Sequence, residues 1–266
     1  MVPRTGLVVP GGTPVDLLTQ VGPMARKVAD LRLLLGLLRG PDWRDSSILP
    51  LQPKTVAERG IENCRIAWYC DNGDLAASDD IAAIVRGCAD ALASHGAKPT
   101  NSRPRPISAA RALFGRLFSI DGGAWIRRLL DDVGTRNKSP ALGWTDEAID
   151  RPRASAADFS ALLFDLERFR SDMLAFMQDF DLILAPVHAS AAMPHDQLTG
   201  AANRPAFSYT QAFNLTGWPS VVVRAGSDRR GLPVGIQIVA RPWQDELALH
   251  AAELVESASG GWQAPD

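Results

Sequence analysis

Two apolar runs near the carboxyl end of the chain constrain its fold most. Ser220-Val-Val-Val-Arg224 and Pro233-Val-Gly-Ile-Gln-Ile-Val239 are rich in β-branched residues, and Gly226 to Gly231 between them carries Ser-Asp-Arg-Arg. β-branched side chains are stiff at χ1 and pack well on a pleated surface. A short polar connection bounded by glycines turns one strand back on the other. The two runs are therefore expected to form an antiparallel pair of core strands.

The rest of the chain supplies partners for that pair. Asp181-Leu-Ile-Leu-Ala185 reads as a buried strand stopped by Pro186, because proline cannot donate to the ladder. Ile66-Ala-Trp-Tyr-Cys70 is a second core strand, ended by Asp71-Asn-Gly73. Ser78 or Asp79 then caps a helix to Ser94 with Ile81, Ile84, Val85, Cys88 and Leu92 on its buried face and Gly96 as its stop. An extended piece at Ala97 to Thr100 completes a βαβ-like unit, so the sheet should be mixed with a substantial parallel part. Gly6 to Val9 is a further short strand by the same reasoning.

Helical spacing marks Pro23 to Leu38, with Met24, Val28, Leu31, Leu34, Leu35 and Leu38 as its apolar set, and this helix is expected to be largely buried. A longer one runs from Asp158 to about Gln178 with Phe159, Leu162, Leu163, Leu166, Phe169, Met173, Phe176 and Met177 in its stripe; the last runs from Asp245 to Ser257. Residues 101–157 are rich in Arg, Pro and Gly, with helical stretches at Ala109 to Phe118 and Trp125 to Val133. Segments of that composition run over the surface and form lids or pocket walls. The predicted fold class is α/β, a mixed β-sheet flanked by helices, in a single domain over 1–266 with 101–157 as a lid-like segment.

Composition narrows the function. The 266 residues carry 28 basic and 30 acidic side chains, a net charge of -2, so no field draws the chain to nucleic acid or an anionic membrane. Small neutral ligands suit that balance. Leu31 to Leu38 is interrupted by Arg32 and far too short to span a bilayer, and Cys64, Cys70 and Cys88 form neither an even disulfide set nor a zinc pattern. A cytoplasmic protein with free thiols is expected.

Chemistry-bearing motifs are scarce. His188 and His195 lie seven apart in a proline-containing loop beside Asp196, without the spacing of a helical zinc site. Gly11-Gly12, Gly122-Gly123 and Gly260-Gly261 lack the lysine and hydroxyl of a P-loop and the third glycine of a dinucleotide fold, so no cofactor is indicated. No Gly-x-Ser-x-Gly elbow occurs, and Asp45-Ser-Ser-Ile48 reads as a plain loop.

Three longer segments carry a resemblance. Gln20-Val-Gly-Pro-Met-Ala-Arg-Lys-Val-Ala-Asp30, the stretch Tyr209 to Gly226, and Gly231 to Val239 together closely resemble the C-terminal half of amidase signature enzymes, which hydrolyse carboxamide C–N bonds. The likeness covers most of residues 4–50 and about 160–256. In that family a lysine acts through a cis-bonded serine on a nucleophilic serine in a glycine- and serine-rich segment, where backbone N–H groups face the oxyanion. All three groups precede the stretch resembling Thr5 to Gly12. The lysines here are Lys27, Lys54, Lys98 and Lys138, none beside a Gly/Ser-rich run. No catalytic residue is carried over, the fold is expected to be N-terminally incomplete, and the chain alone is expected to be inactive.

Gln211, Asn214, Leu215, Thr216, Gly217 and Pro219 match the family's loop leading into a core strand beside the cleft. Asn214 and Thr216 either shape the acyl or amide pocket or satisfy buried backbone groups; Trp218 stands where smaller or polar residues are common and is placed to tune the substrate. Asn214, Thr216 and Trp218 are thus the candidate substrate-binding residues. Because the family builds one sheet from both halves, the remaining half should leave an open apolar edge. The resemblance implies a small-molecule amide substrate once an N-terminal segment completes the protein, or dimerisation or a complementing chain at that edge; the alternative is a degenerate homologue serving as a binding or partner subunit.

Overall fold

A computed structural model of the chain describes residues 2–7, 13–48, 60–137, 152, 154–197 and 205–264. Its centre is a five-stranded sheet of β1 (Arg65–Trp68), β2 (Lys98–Asn101), β3 (Leu182–Pro186), β4 (Ser220–Ser227) and β5 (Pro233–Ala240), in the order β2-β1-β3-β5-β4. β1 pairs parallel with β2 and β3, whereas β5 runs antiparallel to both β3 and β4. The mixed sheet and the β4–β5 hairpin follow the sequence expectation. The hairpin closes through Asp228, whose carboxylate accepts the Arg230 and Leu232 backbone N–H groups at 2.9 Å.

The helices are α1 (Val28–Leu38), α2 (Asp79–Ser94), α3 (Ala110–Ser119), α4 (Ala124–Asp132), α5 (Ala156–Phe176), α6 (Ser208–Thr216) and α7 (Asp245–Ser259). They split into two layers. On one face α2 and α7 press Ile81, Val85, Leu92, Leu249 and Val255 against Ile66, Leu182, Ile236 and Ile238. On the other, α3, α5 and α6 set Leu117, Leu166, Met173 and Tyr209 against Ala67, Ile183 and Val239. Strand alternation accounts for the division, since neighbouring residues of β3 and β5 point to opposite sides. Both faces of β3 are covered, and all five of its residues are buried.

Three elements differ from the sequence expectation. The helix expected from Pro23 begins at Val28 and is not largely buried: Leu33 is 64% and Leu37 73% exposed. Only one stripe of α1 meets α7, where Leu31 and Leu35 pack and Arg32 pairs with Glu246 and Glu253. Its start is fixed by a remote cap, Glu256 Oε1 accepting the Val28 N–H at 3.1 Å. Gln211 to Thr216, expected as part of a loop, belong to helix α6 (Ser208–Thr216), with Tyr209, Ala212, Phe213 and Leu215 buried and Gly217 at φ 70° ending it. Of the strand expected at Gly6 to Val9, the described part is a turn in which Leu7 N–H donates to Arg4 O at 3.0 Å; residues 8–12 lie outside the described residues.

α5 begins earlier than expected, because Ser155 and Asp158 form a reciprocal capping box. In the 101–157 segment, α3 buries Ala110, Leu113 and Leu117 and so belongs to the core. Residues 138–151, including Lys138, are outside the described part, as are residues 49–59 with Lys54.

Candidate functional site

The carboxyl ends of the parallel strands β1 and β3 point the same way, and loops gather there. In open α/β sheets, ligands bind outside those ends. The loop after β1 is stiffened from within and from outside. Asn72, 1% exposed, accepts the Asp74 and Leu75 backbone N–H groups and donates to Ser208 Oγ at 2.7 Å. The Tyr209 hydroxyl lies 2.7 Å from the carbonyl oxygens of both Cys70 and Leu75 and shares its single proton between them. Burial pushes that phenol well above the usual tyrosine range, so it stays a neutral donor. Arg103 holds Asp71 through its backbone and its carboxylate, and Arg111 grips Asp74.

The loop after β3 is tied to the same elements. Ser78 N–H donates to Ala189 O at 2.8 Å, and Ala189 N–H donates to Ala206 O at 3.1 Å. Beneath them Gln237, 1% exposed, donates from Nε2 to Pro186 O at 2.7 Å and to Tyr209 O at 3.0 Å. One buried amide thereby fastens the end of β3 to the start of α6.

Beside this junction opens a cavity of about 310 Å³. Val222 and Gly235 lie on the sheet face shared with Gln237 and Val239, by the register of β4 with β5, and they form part of its wall. His188, Ser190, Met193, Phe207 and Ile81 also line this half-open, mainly apolar hollow. The His188 ring meets Phe207 edge to face at 4.6 Å between centroids. A second, more polar cavity of about 570 Å³ lies past the ends of β1 and β2, lined by Arg86, Asn101, Ser102 and Arg103.

The three candidate residues from the sequence lie elsewhere. Asn214 donates from Nδ2 to Leu18 O at 2.9 Å, anchoring the short 3-10 turn Pro14–Leu18 to α6. Thr216 donates from Oγ1 to Phe213 O at 3.4 Å within its own helix. Trp218 is 6% exposed and packs in the layer formed by α3, α5 and α6. None of the three lines either cavity. His188 reaches the first one, while His195 is exposed on a short turn, His195–Gln197. Sequence reasoning missed Phe207 and Gln237, and the only signal for Gln237 was one polar residue inside an otherwise apolar strand.

Ser47, in the loop that follows α1, donates to Asp45 at 2.6 Å and accepts from Arg4 at 2.7 Å. Lys27 and Lys98 are exposed. A buried, uncharged lysine is what base chemistry would require.

A mixed sheet between two helical layers, with a mainly apolar cavity past the end of β3, defines a protein of the α/β class. The Amidase family profile matches residues 1–249, and the chain belongs to that family. It is similar to an acylamidase of Rhodococcus erythropolis, 27% identical over 89% of this chain and 51% of the relative. A fatty acid amide hydrolase of Arabidopsis thaliana is 29% identical over 95% of this chain and 43% of its own length. Among solved structures, 6-aminohexanoate cyclic dimer hydrolase in complex with substrate superimposes with a TM-score of 0.77 at 21% identity, over 97% of this chain and 58% of that one. The chain spans about half the length of the curated relatives it matches.

Proposed function

We propose that the chain forms the substrate-pocket portion of a carboxamide C–N hydrolase and does not by itself cleave an amide. The apolar cavity beyond the end of β3 carries this reading. Its size suits one aryl or short acyl group, and desolvating such a group supplies the binding free energy that holds the amide in place. The names of the similar proteins, an acylamidase and a fatty acid amide hydrolase, favour an amide with an apolar acyl part. Asn214, Thr216 and Trp218 act behind the wall, fixing α6 so that Phe207 and the Gln237 junction keep their places. Ser47 is occupied by Asp45 and Arg4 rather than poised beside a base, which supports assigning this chain positioning rather than nucleophilic attack. Its substrate is a small neutral amide met in the cytoplasm.

The test is calorimetric titration of the chain with acetanilide. Saturable binding that is lost in Ala192→Trp, which fills the cavity from an exposed lining position, is the expected result. No binding, or binding unchanged by the substitution, contradicts the reading.

A partner-subunit role is the second reading, favoured by the outer edge of β4. Among the described residues no strand pairs with that edge, and Val222 on it is 50% exposed. An open apolar edge is a template for a further strand, from a complementing segment, another chain or a second copy.

A further inference from the structure

The larger cavity, about 570 Å³ past the ends of β1 and β2, shares no lining residue with the proposed amide site, and its wall is of two kinds. Trp68, Cys70, Ala76 and Ala77 give it apolar surface. Trp68 and Cys70 both pack with the core layer that holds α2, and α2 brings Arg86 into the same wall. The rest is polar: Asn101 at the end of β2, Ser102 and Arg103 after it, and Asp71. Charge decides what such a wall can take. Arg103 Nη1 donates to the Asp71 carbonyl at 2.9 Å and stands 3.1 Å from its carboxylate. One nitrogen makes both contacts, so the fork is fixed while its remaining N–H groups stay available. Gly73, at φ 84°, gives it room, since a Cβ there would come within 3.2 Å of Nη2. Arg86 has no hydrogen bond or ion pair among the described residues. Burial pushes the Cys70 thiol up, with the Arg86 charge acting against it, and burial holds the Tyr69 phenol well above its usual range. Both stay neutral, which leaves two guanidinium groups facing the single carboxylate of Asp71.

We propose that this second cavity binds a small carboxylate with an apolar body, its charged end on Arg86 with donors from Arg103, Asn101 and Ser102, and its body against Trp68 and the two alanines. A planar carboxylate matches the guanidinium fork, and its one negative charge balances the one positive charge that Asp71 leaves uncompensated. A phosphate dianion would exceed it. Sites of this volume suit small organic ligands with an apolar part and a few placed polar groups. Hydrolysis of a carboxamide releases an acid of this class, so the cavity gives such an ion a seat apart from the neutral amide. The assignment does not depend on the one made for the first cavity.

Sodium benzoate titrated into the full chain at low ionic strength, followed through the arginine Nε–Hε resonances in nitrogen-15 spectra, tests the proposal. The expected result is a saturable shift of the Arg86 and Arg103 resonances, absent with benzamide, which keeps the shape without the charge. Arg86→Gln, at an exposed position, should weaken benzoate binding roughly tenfold, the worth of a hydrogen bond to a charged group. Arg86→Lys, which keeps the charge and loses the fork, should recover part of that. Ala192→Trp in the first cavity should leave benzoate affinity unchanged. Benzoate binding lost in Ala192→Trp would put the ion in the first cavity and overturn the proposal while sparing the amide reading. Resonances that do not move, an equal response to benzamide, or an Arg86→Gln chain that binds as before each overturn it. Inorganic phosphate that displaces benzoate at equal concentration overturns the carboxylate assignment.

Discussion

Gln237 shows what a single buried amide can control at the residue scale. Its Nε2 serves the carbonyls of Pro186 and Tyr209, so replacing it with Leu leaves both without that donor in a dry site. Gln237→Leu is expected to lower the unfolding free energy by about 2 kcal/mol and to loosen acetanilide binding, read from urea titrations and calorimetry. An effect below about 0.5 kcal/mol would show that the clamp is dispensable. Asp45 offers a test in pH. The Arg4 hydrogen bond, followed by those from Ser47, holds its carboxyl well below the usual aspartate range. A depressed folded value means the stabilisation is complete above the ordinary value of about 3.9 and is lost as pH falls through the folded one. Stability should therefore decline below about pH 4, and Asp45→Asn should flatten that decline; an unchanged slope would remove Asp45 from the account. Residue roles were the least legible part of the sequence. Asn214 and Thr216 were visible as polar groups in a frame of Gly217 and Pro219, yet Thr216 bonds to Phe213 inside a helix that was read as a loop, and Asn214 bonds to Leu18, a partner that only the folded chain brings close.

At the element scale, the strands were legible because each is a short apolar run closed by proline, glycine or a polar turn, and the antiparallel β4–β5 pair and the βαβ unit of β1 and β2 followed, whereas the place of β3 between β1 and β5 did not. Helix α6 was not. Asn214, Thr216, Gly217 and Pro219 carry turn chemistry, which outweighed the helical spacing of Tyr209, Ala212 and Phe213. Gly217 itself is the reconciliation: at φ 70° it is the left-handed residue that ends the helix. Gly217→Ala keeps the space, the nearest described atom being Gln20 Nε2 at 3.5 Å, but strains the backbone. A loss of about 1 kcal/mol in unfolding free energy is expected, and no loss would mean the helix ends by other means. α1 departs from expectation for a different reason. A leucine-rich stripe shows that a helix forms, but not how much of it finds cover, and Leu33 and Leu37 find none among the described residues.

For the whole molecule, the mixed sheet and its two helical layers could be read from element order alone, because a βαβ unit fixes a parallel pair and a short hairpin fixes an antiparallel one. What sequence could not supply was the packing of loops at one end of the sheet into a cavity, since that depends on contacts between residues more than a hundred positions apart, such as Asn72 with Ser208. The open edge of β4 makes a prediction at this scale. Concentration-dependent self-association, followed by light scattering, should weaken in Val222→Lys, because a charge on an exposed edge strand opposes strand addition; association unaffected by the lysine would place the contact elsewhere. The central claim is that these 266 residues provide an amide-binding scaffold without an activated nucleophile, and incubation of the purified chain with a fluorophosphonate probe followed by intact-mass measurement tests it most directly. Unmodified mass after prolonged exposure is the predicted result. Stoichiometric labelling of one serine, abolished when that serine is replaced by alanine, would contradict it.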